Sequence, residues 1–303
     1  MLTTPVVLLL ALGVDRAFGD PRTSLHPVVL IGRFIGWWGI PSRYQVRIQK
    51  ITGVFFWAIT ALLFTTPFLL FSWYAPWYLI LVAGPFLLKS CFALRSLQEH
   101  AIAVVSATDL GEGRERAQML VSRDTSTLTD EQILSAAYES VAENLNDSII
   151  APLFYFTLFG LPGAALYRAS NTMDAMLGYR DERERLGWFS ARMDDIFSFI
   201  PARITGLLLI LYFAARGRGP QALRIFFRDR LNRPGFNGGI PMSLIAGGTG
   251  IRFDKPGKYR IGDSEQSLQE AGPSILATVR NVTLLYAIIA ASALLLLNLP
   301  TNV

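Results

Sequence analysis

Two long apolar stretches follow one another near the start of the sequence, and they restrict the chain to folds that a lipid bilayer accepts. They are Ile51–Trp73 and Tyr74–Leu94, joined by a short turn at Ala75-Pro76. A helix needs roughly 20 predominantly apolar residues to cross a bilayer. Because 51% of all residues are hydrophobic and only 17% are charged, we predict an all-α, polytopic integral membrane protein.

Four further apolar segments complete the predicted topology. The N-terminal stretch Leu2–Val14 is expected to be a retained but short membrane segment, and Val282–Leu299 a full span. Proline and glycine interrupt Ile149–Tyr167 and Ile196–Ala215, so we expect these two to be broken or re-entrant. This gives about four full spans, with every basic loop on the cytoplasmic side, where we also expect any functional site to lie. The chain is expected to form a single membrane-embedded domain.

Composition also excludes several classes of site. With Cys91 as its single cysteine, the chain can form neither an internal disulfide framework nor a thiolate zinc cluster. The formal charge of +5 does not come from a basic stripe interleaved with aromatic residues, so we expect no nucleic-acid partner. The positive charge is better explained by orientation in the membrane.

An acidic stretch stands out in this basic chain. No Lys or Arg occurs from Asp124 to Tyr167. Thr129 followed by Gln132 has the spacing of a capping box, which predicts a helix that begins at Asp130.

Three carboxylates of this helix, Glu139, Glu143 and Asp147, follow one another at intervals of four residues. Carboxylates on one helix face suit Mg²⁺, which prefers hard oxygen ligands together with substrate phosphates. The alternative is a solvated polar face. We favour the metal site because no basic residue is near in sequence and because the helix leads directly into an apolar segment.

Polar residues also follow that apolar segment. Arg168, Asn171 and Asp174 are spaced three apart on a predicted helix, where arginine can bind phosphate and Asn with Asp can orient a metal or an amine. The alternative is a capping or salt-bridge role. They would approach the acidic helix if the apolar segment turns back. Arg203 lies inside an apolar segment, which is costly in lipid and therefore indicates function or a water-filled cavity.

The polar segments between the apolar ones are predicted mainly as loops. The Gly-Asp-Pro and His-Pro pairs between Asp15 and Arg33 favour turns, and we expect this loop to present its side chains rather than bury them. The basic stretch 216–233 is expected to lie against anionic lipid headgroups. We predict a soluble connection at 106–129, a charged loop at 178–195 and an irregular, glycine-rich segment at 234–262.

Taken together, these motifs resemble a known family, the membrane-bound cobinamide-phosphate synthases of cobalamin biosynthesis (CobD/CbiB). The resemblance is strongest over residues 121–206, which begin VSRDTSTLTDEQILSAAYESVAENLNDSIIAP and end MDDIFSFIPARITG. The segments DRAFGDP and HPV near the start, and FNGGIPMSLIAGGTGIRF near the end, extend it over nearly the whole chain.

The resemblance implies a multi-pass enzyme of the prokaryotic inner or plasma membrane, with other membrane enzymes of late cobalamin assembly as possible partners. Its expected reaction joins the propionate side chain of adenosylcobyric acid, a corrinoid acid, to (R)-1-amino-2-propanol or its O-phosphate, using ATP. An acyl phosphate made from Mg-ATP would activate the carboxylate. The catalytic centre is expected within 123–206, completed by loops 15–33 and 234–262.

The resemblance also suggests roles for individual residues. Glu139, Glu143 and Asp147 would bind Mg²⁺ and ATP, and Asn171 and Asp174 would orient the acyl phosphate or the amine, with Asp174 or Glu143 as the base. Substrate-binding roles are expected for Asp15, Asp20, His26, Arg123, Asp124, Arg168, Asp194, Asp195, Arg203, Asn237, Gly239 and Pro241.

Two other functions compete with this one. A membrane sensor of the same family would lack ligase chemistry, and the broken helices are compatible with a transporter, although transporters often contain internal repeats and this sequence shows none. One departure from the family pattern stands out. Relatives tend to carry a Pro-Glu pair in the late loop, where this chain has Pro241-Met242, which implies a dispensable glutamate or a different acceptor or amine.

Overall fold

The computed structural model describes residues 3–20, 23–24 and 26–296, and it is 76% helical. The helices are α1 (Thr3–Phe18), α2 (Pro27–Trp38), α3 (Gln49–Tyr74), α4 (Trp77–Lys89), α5 (Leu94–Val105), α6 (Leu110–Gln118), α7 (Asp130–Leu145), α8 (Ala151–Leu177), α9 (Glu184–Phe197), α10 (Phe199–Ala214), α11 (Gly219–Asp229), α12 (Gly239–Thr249) and α13 (Leu268–Leu296). A 3₁₀ turn covers Pro41–Arg43 and a π-helical turn Asn146–Ile150. Two strands, β1 (Arg252–Lys255) and β2 (Tyr259–Gly262), form an antiparallel hairpin.

Four helical stretches are long and apolar enough to cross a membrane, and the predicted class of an all-α polytopic membrane protein is confirmed. They are Gln49–Tyr74, Trp77–Val105, Asp130–Leu177 and Leu268–Leu296. The pair α9 and α10, interrupted at Ser198, adds a fifth if the two helices form one span.

The ends of the chain match the predicted segments only in part. The N-terminal segment forms the 16-residue α1, below the length of a candidate span. The predicted last span begins inside α13, and its final residues, like Leu2, lie outside the described residues.

The chain divides into two compact units. The first comprises the described parts of 1–93, 151–198 and 287–303, and the second comprises 94–150 and 199–286. Each unit combines segments that are distant in sequence. The expectation of a single domain stays a prediction.

The core of the first unit forms where α2, α3, α8 and α9 meet. It contains buried residues from all four helices, among them Ile35, Ala61, Met173 and Leu186. The ring of Trp38 stacks on that of Phe56 at 5.3 Å. Burying one such large apolar side chain contributes about 1.5–3 kcal/mol.

Close packing in this unit predicts a strong effect at Gly53. A Cβ atom there would lie 2.1 Å from the backbone oxygen of Leu186 in α9, and backbone cannot move aside as a flexible side chain can. We expect Gly53→Ala to destabilise the protein by about 1–3 kcal/mol, measured as a lower melting temperature in detergent. Gly36→Ala is the matched control, because a Cβ atom at Gly36 meets nothing within 4 Å. Equal melting temperatures for the two variants would contradict the prediction.

The second unit contains the acidic helix α7. One side of α7 packs on α5 and α6 through buried residues that include Val104, Ala117, Ile133 and Ala137. The β hairpin lies against the same helix, since the backbone N–H of Asp254 donates to Ser135 Oγ at 2.7 Å. Tertiary packing therefore encloses a helix whose sequence is rich in carboxylates.

Several segments that were predicted as loops are regular structure. The expected charged loop at 178–195 is largely α9, whose Leu186, Gly187 and Ser190 are buried while Glu184, Arg185 and Arg192 are exposed. The segment at 234–262 is not irregular, because it contains α12 and the hairpin. Every residue of α12 is buried, so this helix lacks the alternating polar face by which helices are recognised in a sequence. The connection at 106–129 contains α6, which Asp109 caps.

The predicted interruption of the apolar segment 149–167 is present. Gly160 has φ +66° and ψ −156° inside α8, a conformation that is strained for any residue with a side chain. Pro162 follows two residues later within the same helix. The break therefore lies at Gly160.

The basic stretch 216–233 forms the amphipathic helix α11 and the residues around it. Arg224 and Arg228 each pair with Asp263 at 2.8 Å, whereas Phe227 and Leu231 are exposed. These two arginines are thus engaged within the protein, and contact of this surface with anionic lipid stays a prediction.

Candidate functional site

The acidic helix α7 begins as predicted and is more deeply buried than expected. Thr129 and Gln132 form the reciprocal hydrogen bonds of a capping box, so the helix begins at Asp130. Every residue from Ser135 to Ala142 is buried, and Glu139 is only 5% exposed. The alternative interpretation of this helix side as a solvated polar face is therefore wrong for Glu139.

Polar partners compensate the burial of the Glu139 carboxylate. Its Oε1 accepts from Ser135 Oγ at 2.8 Å and from Arg123 Nη2 at 3.3 Å, and its Oε2 accepts from the Tyr259 hydroxyl at 3.0 Å. Burial and the negative charges of Glu139 and Glu143 raise the pKa of Tyr259, so its phenol stays protonated as a donor. An uncompensated buried carboxylate would be strongly destabilising.

Glu143 lies one turn further along α7 and is paired with Arg233. Burial disfavours the charged form of Arg233, but the carboxylates of Glu143 and Asp147 outweigh this effect and raise its pKa. The sequence offers no cation near these carboxylates. The fold supplies one from about ninety positions away along the chain.

Asp147 lies beyond the regular part of α7, so its position relative to Glu139 and Glu143 differs from the predicted spacing of one helical turn. The helix changes to π geometry from Asn146 to Ile150, which alters the rotation per residue. Asp147 Oδ1 accepts from the side-chain amide of Asn146 at 2.7 Å, and Asn146 Oδ1 accepts from Thr205 at 3.1 Å.

The described residues contain no group of three His, Cys, Asp or Glu side chains placed to hold a metal ion. Glu139, Glu143 and Asp147 thus do not form a preassembled cage. Mg²⁺ commonly takes one or two carboxylates and completes its shell with water and substrate phosphates. Glu139, Glu143 and Asp147 would therefore bind Mg²⁺ only together with water and a phosphate ligand.

In the second unit, Arg203 lies next to the segment 234–262, which contains the predicted late loop. Arg203 Nη1 donates to Asn237 Oδ1 at 2.6 Å, and the guanidinium stacks on Phe199 at 3.6 Å. Gly239 and Pro241 belong to the first turn of α12 and are buried. Met242, the residue at which this chain departs from the expected Pro-Glu pair, is fully buried, so its side chain packs inside the protein.

In the first unit, three predicted residues gather around a buried lysine. The Lys89 ammonium lies 3.2 Å from Asp15 Oδ1 and also pairs with Asp20, with side chains of Lys89 and Asp15 only 4% and 2% exposed. His26 Nε2 lies 3.8 Å from Asp20. The prediction that this loop presents its side chains is wrong for Asp15, which belongs to α1 and is buried against Lys89.

His26 makes the stability of this cluster dependent on pH. It is the N-cap of α2, where its Nδ1 accepts from Val28 N at 3.3 Å. Burial lowers the pKa of His26, as do the charges of Lys89 and Arg168, while Asp20 opposes them. The folded state therefore favours the neutral ring, whose Nδ1 can accept.

We expect the protein to lose stability as the pH falls from 7.5 to 5.5. Below the ordinary histidine value of 6.5, the unfolded chain takes up a proton that folded His26 resists, so stability decreases on acidification. His26→Asn keeps a capping acceptor without titrating and should flatten this dependence, whereas His100→Asn should not. Melting temperatures in detergent at both pH values test it. An unchanged pH dependence in the His26 variant would contradict it.

The remaining predicted residues occupy different surroundings. In the first unit, Asn171 Nδ2 donates to Asp194 Oδ1 at 3.2 Å. Asp195 lies 3.9 Å from Arg192 near the surface. Arg168 is half-buried and acts electrostatically on His26, and Asp174 lies beside Gly178 at the end of α8. In the second unit, Asp124 is exposed and accepts from Ser126 N at 2.9 Å, a bond that lowers the pKa of Asp124.

Sequence reasoning missed several polar residues of both clusters. Lys89 was visible as a charge that interrupts an apolar segment, a signal for a buried ion pair. Arg233, Lys255 and Tyr259 gave no local signal, because they lie in segments without recognisable periodicity. Their proximity to α7 arises from tertiary folding alone.

Comparison with known proteins places the chain in a family. A model described as CobD/CbiB protein matches residues 8–286. A probable cobalamin biosynthesis protein CobD of Methanothermobacter thermautotrophicus is 39% identical over 296 residues, which cover 96% of this chain and 97% of the relative. The corresponding protein of Thermococcus kodakarensis is 44% identical over 263 residues, 86% of either chain.

A bacterial relative agrees with these two. The cobalamin biosynthesis protein CobD of Pelobacter propionicus is 38% identical over 314 aligned residues, 97% of this chain and 96% of the relative. No solved structure matches. The family match spans the segments of both compact units and confirms the resemblance stated from the motifs. The chain therefore belongs to the CobD/CbiB family.

Proposed function

We propose that this protein acts in cobalamin biosynthesis as an ATP-dependent synthase that joins a corrinoid acid to an amino alcohol through an amide bond. Membership of a family whose relatives are named for cobalamin biosynthesis supports the pathway. The observation that carries the chemistry is the partly buried cluster of Glu139, Arg123, Glu143 and Arg233. Its paired carboxylates and guanidinium groups suit a ligand that combines phosphate with Mg²⁺.

The reaction has two balanced steps. A carboxylate oxygen of adenosylcobyric acid attacks the γ-phosphorus of ATP, which forms a C–O–P linkage and releases ADP. The nitrogen of (R)-1-amino-2-propanol, or of its O-phosphate, then attacks the carbonyl carbon. A C–N bond forms, the C–O bond to phosphate breaks, inorganic phosphate leaves and the amine nitrogen loses a proton.

Residues of the second unit would serve the phosphoryl-transfer step. Arg123 and Arg233 can donate charge-assisted hydrogen bonds to phosphate oxygens. Glu139, Glu143 and Asp147 would hold Mg²⁺ brought with ATP, and the metal would neutralise charge on the phosphates. Positioning and charge neutralisation account for most catalysis of this kind.

The amide-forming step needs a base and an oriented amine. A carboxylate in hydrogen-bond reach of the amine can take its proton, and Asp174 or Glu143 would do so. Asn171, held by Asp194, would orient the acyl phosphate or the amine. Asp20, His26, Asn237 and Pro241 keep the substrate-binding role that the resemblance implies, and we assign them to the corrinoid. Asp15, which is buried against Lys89, would act only through that lysine.

The direct test is an assay of the purified full-length chain in detergent. It would contain ATP, Mg²⁺, adenosylcobyric acid and either free or phosphorylated aminopropanol, and product mass would be read by mass spectrometry. We expect a product that corresponds to the two substrates minus water, and one ADP for each amide. ATP hydrolysis without amide, or no dependence on the corrinoid acid, would contradict the proposed function.

A further inference from the structure

The β1–β2 hairpin is tied to the acidic helix by hydrogen bonds at both of its strands. In β1, Asp254 N donates to Ser135 Oγ at 2.7 Å, and in β2 the Tyr259 hydroxyl donates to Glu139 Oε2 at 3.0 Å. Ser135 in turn donates to Glu139. The hairpin is thus part of the same polar network as the buried carboxylate.

Arg123 is incompletely satisfied in this network. One guanidinium nitrogen, Nη2, donates to Glu139 at 3.3 Å, while Nε and Nη1 are buried and have no hydrogen-bond partner among the described residues. Leaving a buried donor unsatisfied costs about 1–3 kcal/mol, and more when the group is charged. Each of these two donors can form a charge-assisted hydrogen bond to an oxygen of a phosphate or carboxylate.

A second cation lies beside Tyr259, whose hydroxyl donates to the Glu139 carboxylate that also pairs with Arg123. Lys255, the last residue of β1, has no carboxylate within ion-pair distance in the described part of the chain, and its ammonium lies 5.6 Å from the ring centroid of Tyr259. Burial lowers the pKa of Lys255, and the neighbouring charge of Arg123 adds to this effect. The charges of Glu139 and Glu143 oppose this effect, and an anionic ligand beside the ammonium would favour the charged lysine further.

Lys255 also borders a cavity. The cavity has a volume of about 640 Å³, within the range of small-molecule sites, and it is lined mainly by the hairpin and its turn, with Gln132 and Asn232. Lys258, Tyr259 and Arg260 contribute to the same wall. The cavity offers room for a molecule much larger than an inorganic anion.

We propose that Arg123 and Lys255 form a phosphate-binding site and that the hairpin cavity holds the rest of the phosphorylated ligand. This inference rests on the proposed function and names the part of the chain that recognises the phosphate. The phosphate belongs either to ATP or to the phosphorylated amino alcohol. Tyr259 is a positioning residue in this arrangement, because it holds Glu139 by a hydrogen bond.

Binding measurements on the full-length chain in detergent, with EDTA present, test the site without metal and without turnover. The probes are ATP, adenosine and 1-amino-2-propanol O-phosphate. We expect Lys255→Met and Arg123→Lys each to lower the affinity for one phosphorylated probe by about 10- to 100-fold. Each variant loses one or two charge-assisted hydrogen bonds to the phosphate. Adenosine should bind equally to all variants. The phosphorylated probe that loses affinity identifies the source of the phosphate.

Arg252→Met is the matched control, because it removes a positive charge from the same strand on the face opposite Lys255 and does not line the cavity. It should change the affinity for either phosphorylated probe by less than about threefold. Unchanged affinity for both phosphorylated probes in the Lys255 and Arg123 variants, or an equal loss in the control, would overturn the inference. If the binding inference failed in this way but the protein still formed the amide, the proposed function would stand. Phosphate binding through Lys255 without amide formation would overturn the proposed function alone.

Discussion

Replacing Glu143 with Gln is expected to lower the rate of amide formation by at least about 100-fold, the scale of a lost general base or charge-stabilising group. The substitution keeps the shape of the side chain but removes the charge that pairs with Arg233. It would abolish both roles proposed for Glu143, as a metal ligand and as a base. The measurement is the rate of corrinoid amide formation by the purified variant.

The matched control for this experiment is Glu131→Gln. Glu131 lies in the first turn of the same helix and is exposed, so its loss should leave the rate within about twofold. Size-exclusion profiles and melting temperatures in detergent would show that both variants fold. Retained turnover in a folded Glu143→Gln protein would remove Glu143 from the proposed site.

Replacing Lys89 with Met is expected to destabilise the first unit by about 3–5 kcal/mol, the usual cost of removing one partner of a buried ion pair. Asp15 would then keep a buried negative charge without the ammonium that lies 3.2 Å from it. The apolar stem of Met replaces that of Lys, so lost packing contributes little. Thermal unfolding in detergent measures the effect as a lower melting temperature.

A double variant separates charge from packing in this experiment. Lys89→Met with Asp15→Asn removes the two buried charges, and we expect it to recover part of the lost stability, because the only carboxylate left without the ammonium is that of Asp20, which is partly exposed. A Lys89→Met protein that melts at the wild-type temperature would show that the ion pair contributes no net stability. A double variant no more stable than the single one would assign the loss to packing.

Local signals in the sequence were sufficient for the elements that depend on neighbouring residues. Thr129 and Gln132 predicted the start of α7 to the residue, because a capping box is formed by side chains three positions apart. The turn at Ala75-Pro76 was also predicted, and it separates α3 from α4. In α5, Leu97, Ala101 and Val104 recur at helical spacing and form its buried stripe.

The sequence was a poor guide where burial on all sides removes periodicity. Helix α12 is buried along its whole length and has no polar face, so its glycines suggested irregular backbone. For α9, charged residues dominated the composition and concealed a narrow buried stripe of Leu186, Gly187 and Ser190. Its small residues pack closely, which hydropathy does not measure.

By itself, the sequence determined that the chain is a helical membrane protein of this family, because apolar length and motif spacing are properties of consecutive residues. It also indicated Glu139, Glu143 and Asp15 as residues of interest. Only the tertiary structure decided their partners. Arg233 reaches Glu143, Tyr259 reaches Glu139 and Lys89 reaches Asp15 across long separations in the chain. Burial makes such partners necessary, since a carboxylate leaves water only when another group replaces its hydration.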